Sequence, residues 1–429
     1  MIATRRQWRI VVLAKAFLAL VVFGTLYAQF NVAQFRAAYA QWPPGGTAVL
    51  ASRFSTWDAA HYLRLSQSGY EAGAMSCAFY PLWPATVILG TDFLAGRPTL
   101  AGVLLANLLS FLGFWMFYQL VARRSGHALG RDSLILILAF PAALFFAFPY
   151  SESLYFAIVM VFFWGLELRR WSWVGVAGFL LPLARPVGVF VLLPLAWYLY
   201  ESQGGQLPLS RTDFSSETER SPIAKVQRKM ADGTPIAQSI LHAERSRARA
   251  TRTGGRKWQA TNGGWTAWLL LLCPLLGYAG YFGLMWLWTG NAFEAFDAQK
   301  AYPNSPSIRN MFDYADLCHA ILNVRTLDGM MDSIVDRLFF LVFLGFLPLI
   351  YRLDKVWFFY VLPTGLVPAL TSWFMSYRRY IMVLFPLFVV LAQLLARTRQ
   401  RWIFWYYVAL LAVLQAWAVR QFVNFNWAG

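Results

Sequence analysis

Charged residues are scarce, at 13% of 429 against about 25% in soluble domains, and this excludes a string of soluble domains. Cysteine is scarcer still. The three present, Cys77, Cys273 and Cys318, stand in no CxxC or Cys/His ligand spacing, which excludes a disulfide framework and argues against a zinc site. There is no Walker loop and no GxGxxG ahead of a helix, so nucleotide-binding machinery is not indicated. What the chain has instead is apolar surface: 59% of residues are hydrophobic and 18% aromatic, with a mean hydropathy of +0.48. One run after another reaches the ~20 residues that cross a bilayer. The chain reads as an all-α polytopic membrane protein. Its net charge of +17 then reports cytoplasmic loops rather than a nucleic-acid partner.

The first apolar run, 10–30, follows Arg5, Arg6 and Arg9. It is longer than a signal-peptide core and no convincing cleavage site follows, so a retained first helix is expected. Further runs occupy 99–121, 134–148, 154–168, 171–200, 265–288, 338–350, 356–373, 380–395 and 402–423. Basic clusters fall at 5–9, 123–131, 169–170, 201–263, 352–355 and 397–401. The positive-inside rule puts all six in the cytoplasm under two conditions. The stretch 78–94, interrupted by Pro81 and Pro84, must not cross fully. The run 171–200 must cross twice, as two half-helices meeting near Arg185-Pro186. Such broken helices are tolerated where they line a protein cavity. The expected architecture has about 11 transmembrane helices. An N-terminal module, 1–200, carries an outer loop at 31–98; a C-terminal module, 264–429, carries another at 290–335. Between them, 201–263 holds eleven Lys/Arg against six Asp/Glu and reads as a disordered cytoplasmic loop, able to touch anionic membrane lipids. The 290–335 loop reverses that balance, with six acids against three bases.

On this topology the polar motifs all fall on the outer face. They are Trp57-Asp58-Ala59-Ala60-His61-Tyr62, Pro149-Tyr150-Ser151-Glu152-Ser153, Ala184-Arg185-Pro186, Ala298-Gln299-Lys300 and Ser376-Tyr377-Arg378-Arg379-Tyr380. Ionisable groups near hydrocarbon are costly without partners, so their convergence marks a candidate site. In a helix, Asp58, His61 and Tyr62 share one face. A carboxylate beside an imidazole at a wet interface suits a general base; the alternative is a helix N-cap. Glu152 fits the N-terminus of its helix or a catalytic role. Arg185, between two apolar half-helices, needs an anion, either a phosphate matched to its fork or Glu152 as a salt bridge. Arg378 and Arg379 run against positive-inside, which calls for an external anion or for snorkelling to headgroups.

These motifs resemble the GPI mannosyltransferase II (PIG-V-like) family of GT-C membrane glycosyltransferases, and particularly its bacterial members. The resemblance rests on Trp57-Asp58-Ala59-Ala60-His61-Tyr62-Leu63, Ser68-Gly69-Tyr70 and Ala78-Phe79-Tyr80-Pro81-Leu82-Trp83-Pro84. The Tyr150-Ser151-Glu152-Ser153 and Arg185-Pro186-Val187-Gly188 elements add to it, the latter with Ala184 and Val187 where the family has Ser and Asn. It implies a GT-C fold with an outer-face active site, and transfer of mannose from a polyprenyl-phosphate-mannose donor to an acceptor hydroxyl on a glycan, lipid or protein. A β-linked donor and α-linked product imply one inverting displacement. Asp58 is then the base, with His61 and Glu152 orienting it or the sugar. Arg185 and Arg379 meet the leaving phosphate, helped by Arg378, while Trp57, Tyr62, Tyr80, Gln299 and Tyr380 bind substrate. The scheme calls for no cofactor, and the outer acids are too scattered to argue for a metal. A transporter or flippase of lipid-linked saccharides is the competing reading. Absence of an Asn-x-Ser/Thr sequon and of an ER-retrieval tail points to a bacterial inner membrane rather than the endoplasmic reticulum.

Overall fold

The computed structural model describes residues 5–426 apart from 38–40, 46, 48, 203–264, 304, 331 and 399. The basic loop 201–263 therefore lies, beyond Ser202, outside the described residues. The first half contains α1 (Arg5–Gln29), α2 (Val32–Ala37), α3 (Asp58–Ser68), α4 (Leu82–Phe93), α5 (Pro98–Ser125), α6 (His127–Ala139), α7 (Glu152–Leu168), α8 (Trp171–Ala184) and α9 (Leu192–Ser202). The second half contains α10 (Leu272–Thr289), α11 (Glu294–Gln299), α12 (Tyr314–Leu322), α13 (Ile334–Leu353), α14 (Lys355–Ser372), α15 (Tyr377–Met382), α16 (Phe385–Arg397) and α17 (Arg401–Val423). Among the described residues the only β pairing is two isolated bridges. Over these residues the fold is all-α.

Among the described residues five helices are long and apolar enough to cross a membrane: Trp8–Gln29, Pro98–Ser125, Ala267–Thr289, Ile334–Leu353 and Arg401–Val423. Others are cut short where the sequence places proline. Pro141 ends the expected 134–148 span as a helix, so α6 stops at Ala139 and a 3₁₀ turn, Pro141–Phe146, follows, because proline supplies no amide hydrogen. The carbonyls freed by this break are taken up by polar side chains from other elements. Gln415 Nε2 donates to Leu138 and Phe140 at 2.8 and 2.9 Å. Lys15 Nζ donates to Phe146 O at 3.0 Å and to Ser110 Oγ at 2.8 Å. The lysine inside α1, unexplained by the apolar run around it, thus fastens the broken helix.

Arg185 marks the second break. α8 and α9 form a hairpin, since the rings of Trp171 and Tyr198, at its two far ends, lie 6.0 Å apart. Gly188 makes the turn possible: a Cβ there would stand 2.2 Å from the Leu181 carbonyl oxygen. The chain reverses where the sequence expected it to.

The long elements have two distinct ends. At one, Arg124 joins Glu167 and Asp354 at 2.9 and 2.6 Å, Arg123 reaches Glu167 at 3.1 Å, and Arg401 pairs with Asp132 at 2.5 Å. This gathers the clusters expected at 123–131, 352–355 and 397–401. At the other end lie Glu152, Arg185 and Arg379. Glu152 and Glu167 sit on the same helix, α7, and fifteen helical steps separate them by about 22 Å.

Candidate functional site

Asp58 opens α3, and the residue before it, Trp57, has φ +56° and makes no side-chain cap to the helix. The N-cap reading of Asp58 is not the geometry found: Asp58 is the first helical residue, and its Oδ2 accepts from Arg379 Nη1 at 2.6 Å. Arg379 turns its other edge to Glu152, donating from Nε and Nη2 to Oε1 at 3.0 and 2.7 Å. Arg185 Nη1 approaches the same Oε1 at 3.1 Å, close as an ion pair but not aligned as a hydrogen bond. Two carboxylates and two guanidiniums, drawn from α3, α7, α15 and the α8–α9 turn, form one net-neutral cluster.

The members differ in access. The Asp58 side chain is 30% exposed while that of Glu152 is fully buried. A proton acceptor must reach its donor, so Asp58 is placed for exchange and Glu152 for holding two arginines. Glu152 Oε2 and Arg185 Nη1 have no hydrogen-bond partner, leaving capacity that a ligand would fill.

Aromatic rings wall the cluster. The Arg379 guanidinium lies 4.5 Å from the Phe145 ring centre and 5.0 Å from that of Tyr150. Arg185 lies 5.2 Å from Tyr380 and 6.0 Å from Tyr155. His61 stacks on Phe79 at 4.9 Å; burial holds its imidazole below its ordinary pKa, against the opposing pull of Asp58 and with the help of Arg64. The neutral ring is therefore the favoured form. Tyr62 donates its hydroxyl to Ser151 Oγ at 2.8 Å and packs edge-on to Phe79, tying α3 to the start of α7. Trp83 Nε1 donates to Pro149 O at 2.9 Å, which fixes the turn that presents Glu152.

Other expected site residues go elsewhere. Trp57 is engaged by Phe425 and Phe422 and reaches Phe422 O at 3.4 Å. Tyr80 stacks on Tyr281 at 4.2 Å in a separate apolar cluster with Leu183 and Met285. Gln299 is half-buried at the end of α11. That helix packs on the turn Met75–Ala78, with Glu294 accepting from the Gly73 amide. Arg378 departs most clearly from expectation: it is buried against Asp328 and Asp336 and holds no surface for an external anion. Among the described residues no group of His, Cys, Asp or Glu is disposed to hold a metal ion.

The residue contacts that sequence reasoning did not foresee are Phe79 under His61 and Arg379 on Asp58. Phe79 stands in the Phe-Tyr-Pro piece already singled out. The Asp58–Arg379 pair joins positions 321 apart, and no local spacing signals it.

Residues 46–207 match the family model described as Mannosyltransferase (PIG-V). No curated protein matches the chain. The matched stretch carries Asp58, His61, Glu152 and Arg185, so the resemblance read from the motifs is upheld; Arg379, which completes the cluster, lies beyond it.

Proposed function

We propose that this chain, whose residues 46–207 match the family model described as Mannosyltransferase (PIG-V), transfers mannose from a polyprenyl-phosphate-mannose to an acceptor hydroxyl by a single inverting displacement. The observation that carries the reading is the Asp58–Arg379–Glu152–Arg185 cluster, with its one water-accessible carboxylate. Asp58 takes the proton of the acceptor hydroxyl while that oxygen bonds to C1 of the sugar. The C1–O bond to phosphate breaks, and its electron pair leaves on the phosphate. Protonation of Asp58 removes the charge that holds Arg379 Nη1. The guanidinium is then free to meet the charge growing on the leaving group, a change that stabilises the transition state more than the ground state. Glu152 stays ionised and keeps both arginines aimed. The net charge within the site is unchanged through the step, because the negative charge lost at Asp58 is gained by the phosphate.

The two-ended architecture supports a non-cytoplasmic site. Basic clusters gather at the end opposite Asp58, as positive-inside requires, and a lipid-phosphate donor accounts for a chain with no nucleotide-binding motif. The path of the chain between these ends, counting the α8–α9 hairpin as two passes, is the basis for proposing eleven crossings.

Purified protein in liposomes supplied with polyprenyl-phosphate-mannose and an extract of membrane acceptors tests the activity. Labelled mannose should appear in an α-linked product, with the sugar nucleotide inert. Movement of the intact donor across the bilayer without transfer would favour a flippase instead.

A further inference from the structure

Arg378 and Arg379 pose a sorting problem. They are identical side chains on adjacent positions of a six-residue helix, α15, and a rotation of one residue, about 100°, points one where the other had pointed. Either guanidinium suits Glu152. Nothing in the local sequence says which one should enter the site.

The turn before α15 is unusual. Trp373, Phe374 and Ser376 have φ of +46°, +73° and +57°, a left-handed conformation that non-glycine residues disfavour and that persists only where surroundings impose it. The surroundings here come from α13 and the stretch before it. The Asp336 Oδ1 accepts from the Arg378 backbone amide at 3.0 Å and lies 3.6 Å from Arg378 Nε. Asp328 meets the same guanidinium. Arg337 lies 4.9 Å from the Phe374 ring centre and donates to Ala320 O at 2.8 and 3.2 Å and to Ser333 O at 3.1 Å. Asn310 Nδ2 donates to Thr371 O at 2.9 Å. The turn is held on one side by backbone groups and acids from 310–336, and on the other by its arginine in the site.

We infer that Arg378, Asp336 and Asp328 form a positioning clamp that decides which arginine enters the site and where the Arg379 fork points. This rests on the reading that Arg379 meets the donor phosphate. Two acids take one arginine and two take the other, so a slip of α15 would strand charges on both sides. The segment 310–330, which includes α12, thereby acts on the reaction through Arg379.

Asp336→Asn is the test, because it keeps an acceptor for the Arg378 amide and removes the charge. Mannose transfer should fall about 10- to 100-fold per folded molecule, with the KM for donor raised and that for acceptor unchanged. The loss should vanish in an Arg379→Lys background: the double variant should match Arg379→Lys alone within about twofold. Losses that multiply would overturn the clamp, since a purely structural defect does not act through Arg379. Should Asp336→Asn fail to fold, Arg378→Lys, which retains the charge without the fork, enters the same cycle. Hydrogen exchange gives a readout independent of transfer. Amides of 373–382 should exchange faster in the variant while those of α5 and α7 do not, and unchanged exchange at 373–382 would also overturn the proposal. Absence of mannose transfer by the wild type would refute the proposed function and leave the clamp to be decided by exchange.

Discussion

Two clusters of opposite charges lie side by side in this protein and differ in one property. Arg379 with Asp58 and Glu152 has a carboxylate 30% open to solvent; Arg378 with Asp328 and Asp336 has no side chain more than 1% exposed. The ion-pair chemistry is shared. A sealed cluster costs desolvation that its attraction offsets only with good geometry, so what it supplies is a fixed arrangement. The open cluster can exchange a proton and accept an anion. On the proposed reading, water access, rather than residue type, separates positioning from chemistry.

The largest effect expected short of the base itself is at Glu152, which holds both site arginines on one oxygen. Glu152→Gln leaves buried Arg185 without an anion and Arg379 with Asp58 alone, and should destabilise the protein by about 3–5 kcal/mol, seen as a fall in detergent melting temperature and in folded yield. If Glu152→Gln melts like the wild type, the open cluster is not held together from beneath. Arg379→Lys should cost less: it keeps a cation but loses the fork that reaches Asp58 and Glu152 together. A rate loss of about 10- to 100-fold, with weaker donor binding, is expected. Arg378→Lys, which acts only through Arg379, should raise the donor KM by less than Arg379→Lys does and leave the acceptor KM unchanged, as read in steady-state transfer.

How far these clusters were legible in the sequence follows from the same contrast. Helical spans, the hairpin at Arg185 and the gathering of basic residues at one end come from apolar run length, a proline and charge placement, all local signals. Asp58, Glu152, Arg185 and Arg379 were each visible as polar groups where apolar ones belong. A Glu152–Arg185 ion pair was one of two readings of Arg185 and is found; the link of Arg379 to Asp58 was not foreseen, because the two meet across 321 positions. Arg378, expected to bind substrate, is buried on Asp328 and Asp336 instead, for a specific reason. Three residues of one turn, Trp373, Phe374 and Ser376, have positive φ and set the direction of α15, and no glycine or asparagine in Trp373–Ser376 announces them. Tyr80 and Trp57 were read as sugar-stacking rings, but each is taken up by another aromatic, Tyr281 and Phe425, and aromatic content of 18% makes such pairings the rule here.

Smaller effects sharpen the boundary of the open cluster. Tyr62→Phe removes the hydroxyl bonded to Ser151 and should cost about 1 kcal/mol of stability, with turnover per folded molecule nearly intact. The least effect is expected from His61. Burial lowers its pKa below 6.5, so between that lowered value and 6.5 the unfolded chain binds more protons than the folded one. Its contribution to stability is therefore present above about pH 6.5 and lost as pH falls. Unfolding measured from pH 7.5 to 5 should show a shallower decline in His61→Gln than in the wild type; identical slopes would mean the imidazole is not held neutral.

The central claim is that Asp58 takes the acceptor proton, and single-turnover mannose transfer by Asp58→Asn tests it most directly. Asparagine preserves shape and one acceptor oxygen for Arg379 but cannot hold the proton. The account predicts a rate lower by roughly 10²–10⁴, about 3–5 kcal/mol of barrier, with folded yield and donor binding close to the wild type. Transfer at the wild-type rate in Asp58→Asn would contradict it.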